Sequence, residues 1–291
     1  MLNMTNKNAV ILAGGISSRM KKSASVNSGL SSEQIKESDN SSKSMIKVGE
    51  SGRPFLDYLI YNIHKAGIKD LLIVIGEKDD SLKKHYSDFK IFPEMNIRFA
   101  VQKIPAGRVK PFGTADALYQ GLMTVTDWQD ESFIVMNSDN LYSFDAIKTL
   151  ATSPYPNGMI DYDSEGFRFS NNRVKNYAVT KKNENGFLID IVEKPTDEQV
   201  NKCLDKEGKS RVSMNIFKLN YKMIFDYLKN CPVNPERNEK ELPTAIKNML
   251  LEFPETLFCY PKSEHVPDLT SKDDIIPTTE YLKKHFSDID F

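Results

Sequence analysis

The sequence has no long apolar run, no cluster of cysteines and no surplus of either charge. Each absence excludes something. No stretch approaches the roughly 20 consecutive apolar residues that cross a bilayer, so no membrane-spanning helix is expected. The run "AVILA" is too short for a signal core and follows the polar "MLNMTNKN", which makes a cytoplasmic location the expectation. Cys203, Cys231 and Cys259 lie far apart and fit neither a paired metal site nor a disulfide framework. They read as small buried or half-buried thiols in a reducing compartment. Lysine and arginine number 39 against 40 acidic residues, so the clustered positive charge of a nonspecific nucleic-acid binder is missing. His64, His85 and His265 read as helix-surface or loop residues, with no triad or zinc constellation. No internal repeat is present, so neither a solenoid nor an appended C-terminal β-helix is expected.

What the chain does have is a strand–helix rhythm. "AVILA" (9–13), "LLIVIG" (71–76), "NIRFAVQ" (96–102) and "SFIVMN" (132–137) read as strands. Between them, "RPFLDYLIYNIHKAG" (53–67) carries Phe55, Leu59, Ile63 and Ala66 on one helical stripe and stops at Gly67. "TADALYQGLM" (114–123) has helical spacing as well. This alternation implies an α/β fold around a mostly parallel, mixed sheet covered on both faces. Such sheets bind ligands beyond the carboxyl ends of their strands, so the residues after Ala13, Gln102 and Asn137 are expected at one rim. The second half is richer in strands: "NYAVTKK", "GFLIDIVEKP", "SRVSMNIFKL" and "ETLFCYP". Helices are expected near 221–229 and 241–251, with a short closing helix in "EYLKKHF". Residues 21–42, rich in serine and charge, read as a flexible insertion, a lid or a plain loop.

"NAVILAGGISSRM" (8–20) ends a buried strand in two glycines with an arginine beyond. Glycines permit backbone conformations that other residues resist and let a ligand approach the main chain. Successive N–H groups in such a turn form an anion-binding nest, and Arg19 adds a planar cation suited to phosphate oxygens. The spacing is neither the dinucleotide fingerprint G-x-G-x-x-G nor a Walker loop.

"LAGGISSRM" resembles the signature of the sugar-phosphate nucleotidyltransferases, L-A-G-G-x-G-[ST]-R-[LM]. "SKSMIKVGESGRPFLDYLIYNIHKAGIKDLLIVIG" is similar to that family's next block, which puts Lys43 at the catalytic-lysine position, with Lys47 as rival. "VQKIPAGRVKPFGTADAL" resembles the block in which Gln102 would read the base while Gly113 and Thr114 pack close to it. "IVMNSDNLY" would supply Asp139 as a metal ligand. "IVEKP" would place Glu193 on sugar hydroxyls and Lys194 on the sugar phosphate, and "VSMNIF" points to Ser213 near the sugar. "VPDLTSKDDI" would supply the second metal aspartate, Asp268, with Asp273 and Asp274 close by as alternatives or helix caps.

The resemblance runs in order along nearly the whole chain. It implies one nucleotidyltransferase domain over 1–291, built as a Rossmann-like three-layer sandwich. The implied catalytic set is Arg19, Lys43 and Lys194, with Ala13, Gly14, Gly15, Gln102, Gly113 and Thr114 on the nucleotide. The implied cofactor is Mg²⁺ on Asp139 and Asp268. The implied partners are a nucleoside triphosphate and a sugar 1-phosphate, without nucleic acid or membrane, and a homo-oligomer stays open. Several positions depart from the family: Ser17, Ser138, Ala178 and Asn215 stand where glycine is usual. Those changes leave open the sugar, a different acceptor phosphate, or a catalytically silent nucleotide-sugar sensor. Uracil, thymine and adenine all remain open as the base.

Overall fold

Residues Ala9 to Ala13 carry no side-chain polar group, and a strand of that composition is stable only with neighbours on both edges and cover on both faces. In the computed structural model it has both. The structure describes residues 6–15, 20, 22, 30–40, 42–49, 51–77, 79–88, 92–169, 171–175 and 177–287. The strands are β1 (Asn8–Ala13), β2 (Lys47–Val48), β3 (Arg53–Pro54), β4 (Asp70–Gly76), β5 (Asn96–Gln102) and β6 (Ser132–Asn137), followed by β7 (Asn157–Asp163), β8 (Ala178–Lys182), β9 (Leu188–Val192), β10 (Arg211–Asn220) and β11 (Leu257–Lys262). The main sheet runs β11-β7-β10-β6-β1-β4-β5, with β8 and β9 attached through β10, while β2 and β3 form a separate small hairpin. β6, β1, β4 and β5 are parallel, and β10 is antiparallel to both β6 and β7. The sheet is therefore mixed, as expected.

Alternation along β1 divides the core in two. Ala9, Ile11 and Ala13 pack with helix Phe55–Lys65 and helix Phe144–Ala151. Val10 and Leu12 face the other way, with helices Thr114–Leu122, Tyr221–Lys229 and Leu242–Glu252. These are the three layers. The expected stripe of Phe55, Leu59, Ile63 and Ala66 is wholly buried, and each large side chain on it contributes on the order of 1.5–3 kcal/mol. The three cysteines are free and buried.

Three elements differ from the sequence reading. Part of the serine-rich segment is helical, from Ser32 to Asn40, which corrects the expectation of a loop there. Glutamate, glutamine, isoleucine and lysine interrupt the serines, and these are fair helix formers. Lys272, itself buried, fastens this helix through Asp39 at 2.6 Å. The closing helix is longer than "EYLKKHF", running from Ile275 to His285. The third difference is β7, which the sequence reading did not identify. "NGMIDYD" is buried at every position, yet two aspartates hide its strand pattern. Both charges are compensated inside. Asp161 accepts from the Thr180 hydroxyl and from Lys182 Nζ at 2.6 Å, and Asp163 accepts from Lys209 Nζ at 2.6 Å.

Removing one partner of a buried ion pair leaves the other charge uncompensated. Lys182→Met should therefore destabilise the protein by about 3 kcal/mol in urea unfolding. Adding Asp161→Asn to that variant should recover part of the loss.

Candidate functional site

Parallel strands that end level deliver their next residues to one edge of the sheet. Leu12 to Gly15 at the end of β1, Gln102 at the end of β5, and Asn137 to Asp139 at the end of β6 all line one cavity of about 310 Å³. Ser42 to Ser44, Lys110, Pro111, Gly113, Thr114, Ala117 and Glu239 complete its wall. Eight residues singled out in the sequence thus meet in one place: Ala13, Gly14, Gly15, Lys43, Gln102, Gly113, Thr114 and Asp139. Ser42, Ser44, Lys110 and Glu239 were not foreseen. They carry no spacing signal, and only the fold gathers them.

Lys43 begins a short 3-10 turn, Lys43–Met45. From there its Nζ reaches Asp139 Oδ2 at 3.1 Å, with both side chains half-buried. The rival Lys47 is exposed on β2 and does not line the cavity. Arg19 lies outside the described residues.

The glycines differ in what they permit. Neither Gly14 nor Gly15 has a positive φ, so the expected unusual turn at these two positions is not what they provide. A Cβ at Gly14 would lie 2.9 Å from Gln102 Oε1, whereas one at Gly15 would meet nothing within 4 Å. Gly14 is there for close approach of Gln102. Gly113 has φ +97°, and a Cβ on it would collide with the Lys240 carbonyl. Its role is thus tight packing on Glu239 and Lys240 as well as lining the cavity. The Thr114 hydroxyl accepts from Leu242 N at 3.0 Å and so anchors helix Leu242–Glu252.

Asp268 stands beside Asp139 without lining this cavity. Asn140 bridges to Asp268 in antiparallel fashion, and Leu269 N donates to Asp139 O at 2.8 Å. Burial first, and then the Asp139 charge, push the Asp268 carboxyl up, against Arg173 and the Thr270 hydroxyl. Arg173 NH2 lies 2.9 Å from Asp268 Oδ2, and Thr270 Oγ1 donates to Oδ1 at 2.6 Å. Two acidic groups held this close could hold a hard divalent cation, because each carboxylate oxygen keeps a further lone pair. Asp274 is otherwise engaged: it accepts from Thr270 N, Ser271 N and Ser271 Oγ and pairs with Arg173. Asp268, Arg173 and Asp274 also line a second cavity of about 540 Å³ with His265, Phe169 and Tyr281. There the His265 imidazole is pushed down to about 4, first by burial and then by Arg168 and Arg173.

Glu193, Lys194 and Ser213 lie outside the rim cavity's lining. Ser213 is buried in β10, opposite Ala178 and Asp161, and its Oγ accepts from Asn215 N at 3.2 Å. The strand bulges between Ser213 and Phe217. Asn215 there has φ +57°, a left-handed conformation that asparagine tolerates better than most residues. That is why it can stand where the family has glycine. Tyr142 ties this bulge to the rim, donating from its buried hydroxyl to Met214 O at 2.6 Å. Glu193 is exposed, yet its carboxyl is pushed up, first by desolvation from the chain around it and then by Glu241, against Arg237, Lys194 and Lys247. Lys194 is exposed with φ +46°, directly before Pro195. A non-glycine residue pays about 1–2 kcal/mol for that conformation.

A nucleotidyl transferase family model matches residues 8–265. Curated relatives include glucose-1-phosphate adenylyltransferases from Bradyrhizobium diazoefficiens, 25% identical over 82% of this chain and 55% of the relative, and from Agrobacterium fabrum, 26% identical over 78% of this chain and 51% of the relative. A third, named glucose-1-phosphate adenylyltransferase 2, from Vibrio parahaemolyticus, is 27% identical over 72% of this chain and 48% of the relative. The chain spans about half the length of the curated relatives it matches.

The backbone at Lys194 yields a prediction of its own. Lys194→Ala and Lys194→Gly both remove the ammonium group, but only glycine relieves the left-handed strain. The glycine variant should be the more stable by about 1 kcal/mol in chemical denaturation.

Proposed function

The chain belongs to the nucleotidyl transferase family, and from that premise we propose that the rim cavity binds a nucleoside triphosphate and transfers its nucleotidyl group to a sugar 1-phosphate. ATP and glucose 1-phosphate are the first pair to test, since the relatives are named for that reaction. The observation that carries the reading is the convergence of Lys43 and Asp139 on a cavity walled by Gly14, Gly15 and Gln102.

In this reaction an oxygen of the sugar phosphate attacks the α-phosphorus. The new P–O bond forms as the bond to the β-phosphate oxygen breaks, and pyrophosphate leaves with that electron pair. The nucleophile is already an anion, so no general base is needed. The barrier lies in bringing two anions together in line, which makes positioning and charge neutralisation the main sources of catalysis. Lys43 would neutralise the reacting phosphates from the cavity wall. Lys194 would hold the incoming phosphate, and Arg19 the β- and γ-phosphates. Gln102 would contact the base, with Glu193 and Ser213 on the sugar side. The adjacent, partly desolvated carboxylates of Asp139 and Asp268 suit Mg²⁺, which takes few carboxylates and completes its shell with phosphate oxygens and water. When bound, Mg²⁺ supplies neutralisation of the triphosphate charge.

One observation favours a different acceptor. Ala178 stands opposite Ser213 in the sheet, where the family carries glycine, and the added methyl would exclude some sugars. The assay panel should therefore include non-sugar phosphates.

Pyrophosphate release should be measured with ATP, UTP, dTTP and a panel of phosphate acceptors in the presence of Mg²⁺. The reading expects release with at least one pair, and a loss of about 10²–10³ in kcat/KM for Lys43→Met. No pyrophosphate from any pair would overturn it.

A further inference from the structure

Gln102 is 2% exposed at the end of β5, and its amide is not free to choose its orientation. Gln102 Nε2 donates to Gly113 O at 3.0 Å and to Asp116 Oδ2 at 2.8 Å. Both partners can only accept, so they determine which end of the amide is nitrogen. Asp116 is itself held. Gln120 Nε2 donates to the same Asp116 Oδ2 at 2.8 Å. The Gln120 amide is fixed in turn by the Lys103 backbone: its Oε1 accepts Lys103 N–H at 2.9 Å, and its Nε2 donates to Lys103 O at 3.2 Å. Flipping the Gln102 amide would set acceptor against acceptor at Gly113 O and Asp116, and flipping the Gln120 amide would also set donor against donor at Lys103 N. What remains to Gln102 is its carbonyl. Oε1 accepts from none of the described residues and lies against Gly14 in the wall of the rim cavity.

We propose that Asp116, backed by Gln120, is a positioning residue that locks the Gln102 amide with its carbonyl toward the ligand. The nucleobase is then read by a fixed hydrogen-bond acceptor and has to present an N–H at that point. This rests on the nucleotide-binding reading above. Without Asp116 only the Gly113 carbonyl still holds Nε2, and the amide can more readily rotate and offer its NH₂ instead. Bases of opposite edge pattern would then be admitted, and the preferred base would face a mixture of orientations. The carboxylate's charge is secondary, since any acceptor at this position serves.

The test is calorimetric titration of ATP, GTP, CTP and UTP into the wild type, Asp116→Leu, Asp116→Asn and Gln120→Met, with kcat measured alongside. The wild type should prefer its best base over its worst by at least about tenfold. Asp116→Leu should cut that ratio by about tenfold, which corresponds to about 1.4 kcal/mol. It should raise KM for the preferred triphosphate while leaving kcat within about threefold. Asp116→Asn, which still offers an acceptor oxygen, should retain the discrimination. Gln120→Met leaves Asp116 in place and should lose about threefold, which gives a readout even if Asp116→Leu does not fold. A merely structural role would weaken all four nucleotides alike, and that result, or an unchanged ratio, overturns the proposal. A wild type that binds nucleotides without preference overturns the proposal and leaves the broader reading standing. A wild type that binds none of the four overturns the proposal, and one that binds no dTTP either overturns both.

Discussion

Everything at the rim depends on the burial of β1. It is hydrogen-bonded in parallel to β4 on one side and β6 on the other, and both of its faces are covered. A strand so enclosed cannot slip by one residue, because every side chain would change faces. Its end is therefore fixed at Ala13, level with Ile75 of β4, and Leu12 is level with Asn137 of β6. Gly14 follows, where a Cβ would lie 2.9 Å from the Gln102 carbonyl oxygen. Hydrophobic packing far from the cavity thus sets where polar groups stand inside it.

A second constraint acts across the rim. Lys43 and Asp139 come from segments remote in sequence, and their ion pair links the 3-10 turn after the serine-rich segment to the end of β6. Asp139 is in turn hydrogen-bonded through its backbone to Leu269, which brings Asp268 alongside. Among the described residues, the ion pairs here join Lys43 to Asp139 and Arg173 to Asp268 and Asp274. Exposed ion pairs contribute little. These are partly buried, and their weight is in fixing geometry.

Much of this was legible in the sequence, for identifiable reasons. β1, β4 and β6 have unbroken apolar runs, and the helix at Phe55–Lys65 has a clean stripe. Gly14, Gln102 and Asp139 fall at or just after strand ends, where the chain order predicts a shared edge, whereas Lys43 opens a 3-10 turn ahead of β2 and was singled out through the family resemblance alone. β7 was not legible, because Asp161 and Asp163 break its apolar pattern and their partners come from later strands. The helix at Ser32–Asn40 was obscured by its serines. Arg173 carried no signal at all: its contacts to Asp268 and Asp274 join distant segments with no motif between them. The positive φ values at Lys194 and Asn215 could not be read from residue type, since neither is glycine. Gly113 was singled out for approach to a ligand, and the structure adds a second reason, its contact with Lys240.

The central claim is that the sheet's rim is a triphosphate site. It is tested most directly by a crystal structure of the protein with Mg²⁺ and a triphosphate whose α–β bridge cannot be cleaved. The account predicts phosphates against the Gly14–Gly15 backbone and Lys43, a base edge at Gln102 Oε1, and metal density between Asp139 and Asp268. A nucleotide bound on another surface, with Lys43 still paired to Asp139 and the rim empty, would contradict it.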